Sequence, residues 1–232
     1  MTIAPPPWHL TGDAYIWLFK FPRGFVERNG FLADWQRAAL GATLGAVVLI
    51  DYRESDVGPY RELLFIPGRM KVAGRGVFSI SKIYVSSPES VANGFENWGI
   101  PKQLANFERT TGADGSERFS AALDGREFFA ARLVPFGLRF PFGSALIPLA
   151  IGQERRGDLL ITRPSTKGTG RLCRARDVRV TASSFPDIAQ VDPIAVIAIR
   201  GFRMTFPVPE TVPGFFASVR SAVTKPGPSR SP

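Results

Sequence analysis

The segment richest in chemistry is Asn93-Gly94-Phe95-Glu96-Asn97-Trp98-Gly99-Ile100-Pro101-Lys102-Gln103-Leu104-Ala105. It sets one lysine directly after a proline, with aromatic and small residues before it and apolar residues just beyond. A lysine amine is nucleophilic only when neutral, and a free lysine stays protonated until about pH 10.4. Desolvation penalises the ammonium form, so burial among apolar groups is one of the few ways to lower that value. Lys102 is therefore a candidate Schiff-base lysine. The plain alternative is a solvated surface charge, the usual fate of a lysine. Lys82, central in an alternating stretch, is a rival amine if its face points inward.

The elements that must position such an amine are strands. The chain has 19 Phe, 23 Gly and 20 Pro among 232 residues, which implies many short strands and turns and an all-β or β-rich fold. Ala14–Phe21 is a dense aromatic and β-branched run between Gly12 and Pro22. Ala42–Tyr52 reads as a buried strand, because Val47-Val48-Leu49-Ile50 is apolar without strict alternation. Tyr60–Pro67 follows a polar turn that Gly58 and Pro59 serve. Gly76–Ser86 alternates as a single strand, and a short helix over Pro88 and Ser90–Asn93 leads to the lysine. Later strands are predicted at 104–111, 117–123, 127–134, 158–163, 173–182 and 195–208, with a hairpin turn at Gly112-Ala113-Asp114-Gly115. Trp8, Tyr15, Trp17 and Phe19 read as packing residues. One domain over 1–220 is expected, followed by a disordered tail at 221–232.

Composition narrows the functional classes. A single cysteine, Cys173, excludes an intrachain disulfide, and no apolar run stands behind N-terminal positive charges. Both point to a reducing, cytoplasmic setting. The longest apolar run, Ala38–Ile50, is interrupted by Gly41, Thr43 and Gly45, so no integral membrane span is expected. With one histidine, His9, and one cysteine, a His/Cys zinc site is nearly excluded, and His9 reads as structural. The net charge of +9 raises the question of nucleic acid. Yet within the basic region from Arg155 to Arg179 the stretch Cys173–Val180 alternates as an exposed strand, and no nucleic-acid motif accompanies it, so a solvated face is the simpler account. Such a face would also attract a carboxylate substrate.

Taken together, these segments resemble the acetoacetate decarboxylase superfamily. Pro6-Pro7-Trp8-His9-Leu10 with Gly12 resembles the family's opening strand. Val57-Gly58-Pro59-Tyr60-Arg61-Glu62-Leu63 resembles the segment that supplies an active-site carboxylate. Asn93–Ala105, with Glu96 six residues before Lys102, resembles the segment holding the imine-forming lysine. Gly170-Arg171-Leu172-Cys173 and Ile199-Arg200-Gly201-Phe202-Arg203-Met204 fit the C-terminal strands less specifically. The resemblance covers roughly residues 5 to 215, and the Pro-Pro-Trp opening places the chain nearest a divergent branch that includes plant neoxanthin-deficiency-type proteins.

The resemblance implies a closed β-barrel or double cone with the site inside, no metal or organic cofactor, and a homo-oligomer. It implies that Lys102 forms an imine with the ketone of a β-keto acid, and that the iminium then accepts the electrons released with CO₂. In that family the lysine is known to be activated by desolvation or a neighbouring cation. By position, Glu62 would orient substrate or shuttle protons, Glu96 would support the lysine, and Tyr60, Phe95, Trp98 and Gln103 would contact substrate. The departures are informative. Gln103 stands where the family has a second lysine, so any lowering of the Lys102 pKa has to come from burial alone. Phe95 replaces an arginine, Ala46-Val47-Val48 replaces a second glutamate, and Asp13 or Ala14 replaces another arginine. These losses point to a bulkier or more apolar ligand.

Two functions follow. One is a Schiff-base lyase for a β-keto acid or related carbonyl compound, as a decarboxylase, aldolase or dehydratase. The other is a non-catalytic barrel that binds an apolar, lipid- or carotenoid-like molecule. In both the partner is a small molecule, with no nucleic acid.

Overall fold

The computed structural model describes residues 3–145 and 149–216, so the expected tail at 221–232 lies outside the described residues. The chain opens with β1 (Trp8–Lys20), then α1 (Arg23–Asn29) and α2 (Asp34–Ala39). Next come β2 (Leu44–Glu54), β3 (Tyr60–Ile66), β4 (Arg69–Val72), β5 (Arg75–Phe78) and β6 (Lys82–Val85). Helix α3 (Pro88–Trp98) leads into β7 (Gln103–Leu104), β8 (Asn106–Thr111), β9 (Glu117–Leu123) and β10 (Arg126–Gly143). The remainder is β11 (Ile151–Arg155), β12 (Asp158–Thr162), β13 (Ser165–Val180), β14 (Ala195–Phe206) and β15 (Glu210–Val212).

Among the described residues the strands form two sheets. A ten-stranded sheet runs β7-β6-β3-β2-β1-β14-β13-β10-β9-β8, and a five-stranded sheet runs β15-β12-β11-β5-β4. The larger sheet is antiparallel except for β6 and β7, which pair in parallel. A parallel pair needs a crossover, and α3 supplies it. That requirement places the strand after α3 beside β6, one strand away from β3. The sheet curls until β8 faces β2 and β3, where side chains complete the closure. Arg61 of β3 donates to the Phe107 carbonyl of β8 at 3.2 Å, and Arg109 of β8 meets Asp51 of β2 at 2.6 Å. The result is the barrel-like β-rich fold that the sequence predicts.

Both faces of the central strands are apolar, which is why Val47–Ile50 shows no polar alternation. Tyr15, Trp17, Phe19, Val47, Leu49, Leu63 and Phe65 pack into one core. Ala14, Ile50 and Leu64 point to the opposite side, toward a second cluster with Trp8, Trp98 and Ile100.

The strand expected over Gly76–Ser86 is two strands in different sheets, interrupted at Ser79–Ser81. A buried polar group causes the break. Gln36 of α2 donates to Ser79 Oγ at 2.8 Å and to the Ile80 carbonyl at 3.2 Å, and Gln153 of β11 donates to that same carbonyl at 3.1 Å. These side chains take the place of ladder partners, so periodicity alone could not show the interruption. Helices α1 and α2, strands β4 and β11, and the far half of β10 were likewise not signalled by alternation. The helix expected near 88–93 extends to Trp98.

Candidate active site

Helix α3 is defined by its ends. Ser87 caps the start, its Oγ accepting the Ser90 N–H at 3.1 Å, and Pro88 sits in the first turn, where no N–H is needed. Gly99 ends the helix at φ 67°, its N–H reaching the Phe95 carbonyl at 2.8 Å, while the Ile100 N–H reaches the Gly94 carbonyl at 3.3 Å. The chain then turns through Ile100 and Pro101, and the Lys102 side chain runs back along α3. It passes over Gly94, where a β-carbon would stand 2.8 Å from its Cδ, and ends at Ser90.

The ammonium is fully partnered. Lys102 Nζ donates to Ser90 Oγ at 2.9 Å, meets Glu62 Oε2 at 3.1 Å and reaches Tyr60 Oη at 3.5 Å. The Lys102 and Glu62 side chains are 5% and 6% exposed. The rings of Tyr60 and Trp8 lie 5.1 Å and 5.9 Å from the nitrogen, a further favourable setting for a cation. The N-terminal segment holds Trp8 there: its indole N–H donates to the Ala4 carbonyl at 2.8 Å, and the Ala4 N–H donates to Asn93 of α3 at 2.9 Å.

Burial disfavours the Lys102 ammonium, but the Glu62 carboxylate and Tyr60 outweigh it and leave the lysine above its ordinary pKa. Burial is the one source of lowering that the sequence left open, and the counter-ion outweighs it. Burial also pushes the Tyr60 hydroxyl up to about 12, against the pull of Lys102. Tyr52, whose ring lies 4.6 Å from that of Tyr60, is raised as well, by burial and then by the Glu62 charge.

This cluster borders a cavity of about 510 Å³ lined by one face of β1, β2, β3 and β14 of the large sheet and by Phe78 of β5 and Ile151 of β11 in the small sheet. Its lining is apolar almost throughout, and among the described residues Glu62 and Lys102 are the charged side chains in it. Trp8, Trp98 and Phe206 close one end in successive edge-to-face contacts at 4.9 Å and 4.8 Å.

Of the residues singled out from sequence, Lys102, Glu62, Tyr60 and Trp98 come together at this cavity. Glu96, Phe95 and Gln103 do not. An α-helix turns about 100° per residue, so with Trp98 facing inward Glu96 falls on the outer side, while Phe95, nearer to Trp98 in angle, is 37% exposed at the rim. There Glu96 pairs with Arg156 at 2.6 Å, and Phe95 lies under the same guanidinium. Gln103 opens β7 directly after Lys102, its side chain turned to the other face, and accepts a hydrogen bond from Lys82 at 2.7 Å. Lys82 itself is half-buried against Phe31 and Tyr84, outside the cavity, with a pKa lowered by burial. Sequence reasoning missed Ser90, Gly94 and Tyr52. The signal for the first two was a pair of small residues four apart on one helix face.

The sequence profile described as acetoacetate decarboxylase matches residues 38–135, a span that holds both Glu62 and Lys102. Over those residues, less than half of the chain, the protein is similar to the acetoacetate decarboxylase family. It is 31% identical over 110 residues to Protein NEOXANTHIN-DEFICIENT 1 of Arabidopsis thaliana; that stretch is 46% of this chain and 38% of the plant protein. The rice protein of the same name is 30% identical over 109 residues, 45% of this chain and 35% of its own length. The chain thus spans well under half of these relatives. Among solved structures, acetoacetate decarboxylase from Legionella pneumophila superposes with a TM-score of 0.65 at 13% identity, over 90% of this chain and 88% of that one. The enduracididine biosynthesis enzyme MppR complexed with pyruvate gives 0.64 at 14% identity, over 90% and 91%. At such identities the likeness is one of fold.

Proposed function

We propose that this acetoacetate decarboxylase-like protein is a Schiff-base lyase in which Lys102 condenses with a carbonyl substrate. One observation carries the reading: the amine and Glu62, 3.1 Å apart and both buried, are the charged lining of an otherwise apolar cavity among the described residues. At rest the pair is ionic. A ligand that dries the cavity favours transfer of one proton from Lys102 to Glu62, because two neutral groups need less solvation than two charges. The free amine then adds to the carbonyl carbon, a C–N bond forms, and the oxygen takes the proton back from Glu62. Loss of water leaves an iminium ion that the Glu62 carboxylate faces, and its positive nitrogen draws electrons from a bond next to the former carbonyl carbon. With a β-keto acid that bond is the one to CO₂. With other substrates the same electron sink serves aldol or dehydration chemistry. Support comes from the fold: a protein that shares it is known complexed with pyruvate, a carbonyl compound.

A second reading keeps the cavity and drops the chemistry, making the protein a carrier of an apolar molecule. The lining favours it, as does the likeness to proteins named for neoxanthin deficiency. Borohydride trapping with β-keto and α-keto acids, followed by peptide mapping and with Lys102→Ala as control, separates the two. A substrate-dependent mass increase confined to the Lys102 peptide supports the lyase; no adduct with any substrate would sink it.

A further inference from the structure

The cavity is much longer than the reacting group requires. Strand register puts Glu62 opposite Ile50, and Ile50 opposite Ala14, so the ion pair lies level with those residues. From there the lining continues along the same strands without a polar side chain among the described residues: Ile16 and Leu18, Val48 and Ala46, Leu64 and Ile66. Ile50 to Leu44 is six residues, or roughly 20 Å at the rise of a β-strand. Ile16, Leu18, Val48 and Ile197 are only partly buried although they sit on inner strands, because they face the cavity rather than other side chains. At the far end the lining reaches the surface, where Leu44 is 50% and Ile194 is 62% exposed.

A small keto acid would fill the polar end and leave this stretch to water that has no partner there. Apolar voids of that kind are filled by apolar ligands. We infer that the substrate is an amphiphile, with a carbonyl group at one end and an extended apolar tail running from Lys102 to the opening at Leu44 and Ile194. The inference rests on the imine reading for its reactive end, and on the lining alone for its tail. The cation sits at the closed end, so the carbonyl enters first and the tail trails toward solvent. Each methylene laid along the lining adds transfer free energy, so selectivity should grow with tail length until the tail emerges.

The test uses the intact protein and methyl ketones of increasing length, from acetone to one with a dodecyl tail. Trapping of each at Lys102 is measured at low concentration, and binding of the matching unreactive alkanols by displacement of a fluorescent probe. The expected result is a rise of at least about tenfold in trapping from shortest to longest, paralleled by alkanol affinity. Leu44→Trp and Ile194→Trp, placed at exposed positions to spare folding, should lower the ratio of long-tail to short-tail trapping. Equal trapping at all lengths overturns the amphiphile while leaving the imine intact. Long alkanols that bind when no ketone is trapped overturn the imine reading, and the substrate assignment with it.

Discussion

The Cδ of Lys102 lies 2.8 Å, and its Cε 2.9 Å, from the point where a β-carbon on Gly94 would stand. The amine reaches Ser90 and Glu62 only because residue 94 has no side chain. A glycine in the middle of a helix costs about 1 kcal/mol relative to alanine. In α3 that cost secures a path for the lysine.

Gly94→Ala should therefore separate stability from chemistry. The obstructed atoms belong to a flexible side chain, so Lys102 can swing aside, and the helix gains up to about 1 kcal/mol in intrinsic preference. The displaced nitrogen loses its alignment with Glu62, and imine trapping should fall on the order of a hundredfold. Melting temperature and trapping rate measured on one preparation check this. A variant that traps at the native rate would show that the path over Gly94 is immaterial.

How much was legible beforehand differs between fold and site. The dense apolar runs at Ala14–Phe21 and Val47–Ile50 announced central strands, and those strands carry the sheet. The interruption at Ser79–Ser81 was invisible because it depends on Gln36 and Gln153, 43 and 74 positions from Ser79. At the site, the order of Glu62 and Lys102 in sequence resembles a known pattern, and the structure brings the two side chains within 3.1 Å. Ser90 was not legible, since a serine in a helix carries no sign of which way it points until the chain beyond Gly99 folds back over it. The resemblance assigns Glu96 and Gln103 to the lysine segment by position, and helix and strand geometry turns both outward.

The ion pair sets opposite pH responses in the native protein and in Glu62→Gln. In the native protein Lys102 sits above its ordinary value of 10.5, so trapping should climb with a midpoint on the alkaline side of that value. The lysine's contribution to stability is complete between neutrality and about pH 10.4 and is lost as pH rises through the folded-state value. Removing the carboxylate leaves Tyr60 alone to oppose burial, so the lysine falls from its raised value. The trapping midpoint of Glu62→Gln then moves to lower pH. Near neutrality the variant is less stable by about 3 kcal/mol, because an ammonium is buried without a counter-ion. Its stability recovers as pH rises and the amine loses its proton. Denaturant titrations and trapping rates across this range test both signs, and an unmoved midpoint would contradict the coupling.

Arg109 makes a separate prediction about closure of the barrel. It bridges Asp51 of β2 at 2.6 Å and Glu117 of β9 at 2.9 Å, joining distant parts of the large sheet. Arg200 meets Glu117 from the other side at 2.7 Å, so the group is a network rather than a lone surface pair. Arg109→Met leaves Asp51 and Glu117 partly desolvated and should cost about 3 kcal/mol in urea unfolding. Trapping at Lys102 should change little in the folded fraction, since this network lies on the opposite side of the sheet from the cavity. A loss below about 0.5 kcal/mol would mean that solvent replaces the arginine fully.

Lys82 supplies the sharpest control on which amine reacts. Burial lowers its pKa, so by protonation alone it is the better nucleophile of the two lysines. Position argues the other way. Its nitrogen is held by Gln103 at 2.7 Å and lies 4.9 Å and 4.8 Å from the Phe31 and Tyr84 ring centres, on the side of the sheet away from the cavity. If location governs, Lys82→Met retains native trapping with long-tailed ketones and the adduct maps only to the Lys102 peptide. If the ease of deprotonation governs, the adduct appears at Lys82 and disappears in that variant. Mass mapping of the native protein and Lys82→Met after trapping distinguishes these outcomes, and an adduct at Lys82 would remove the cavity from the chemistry.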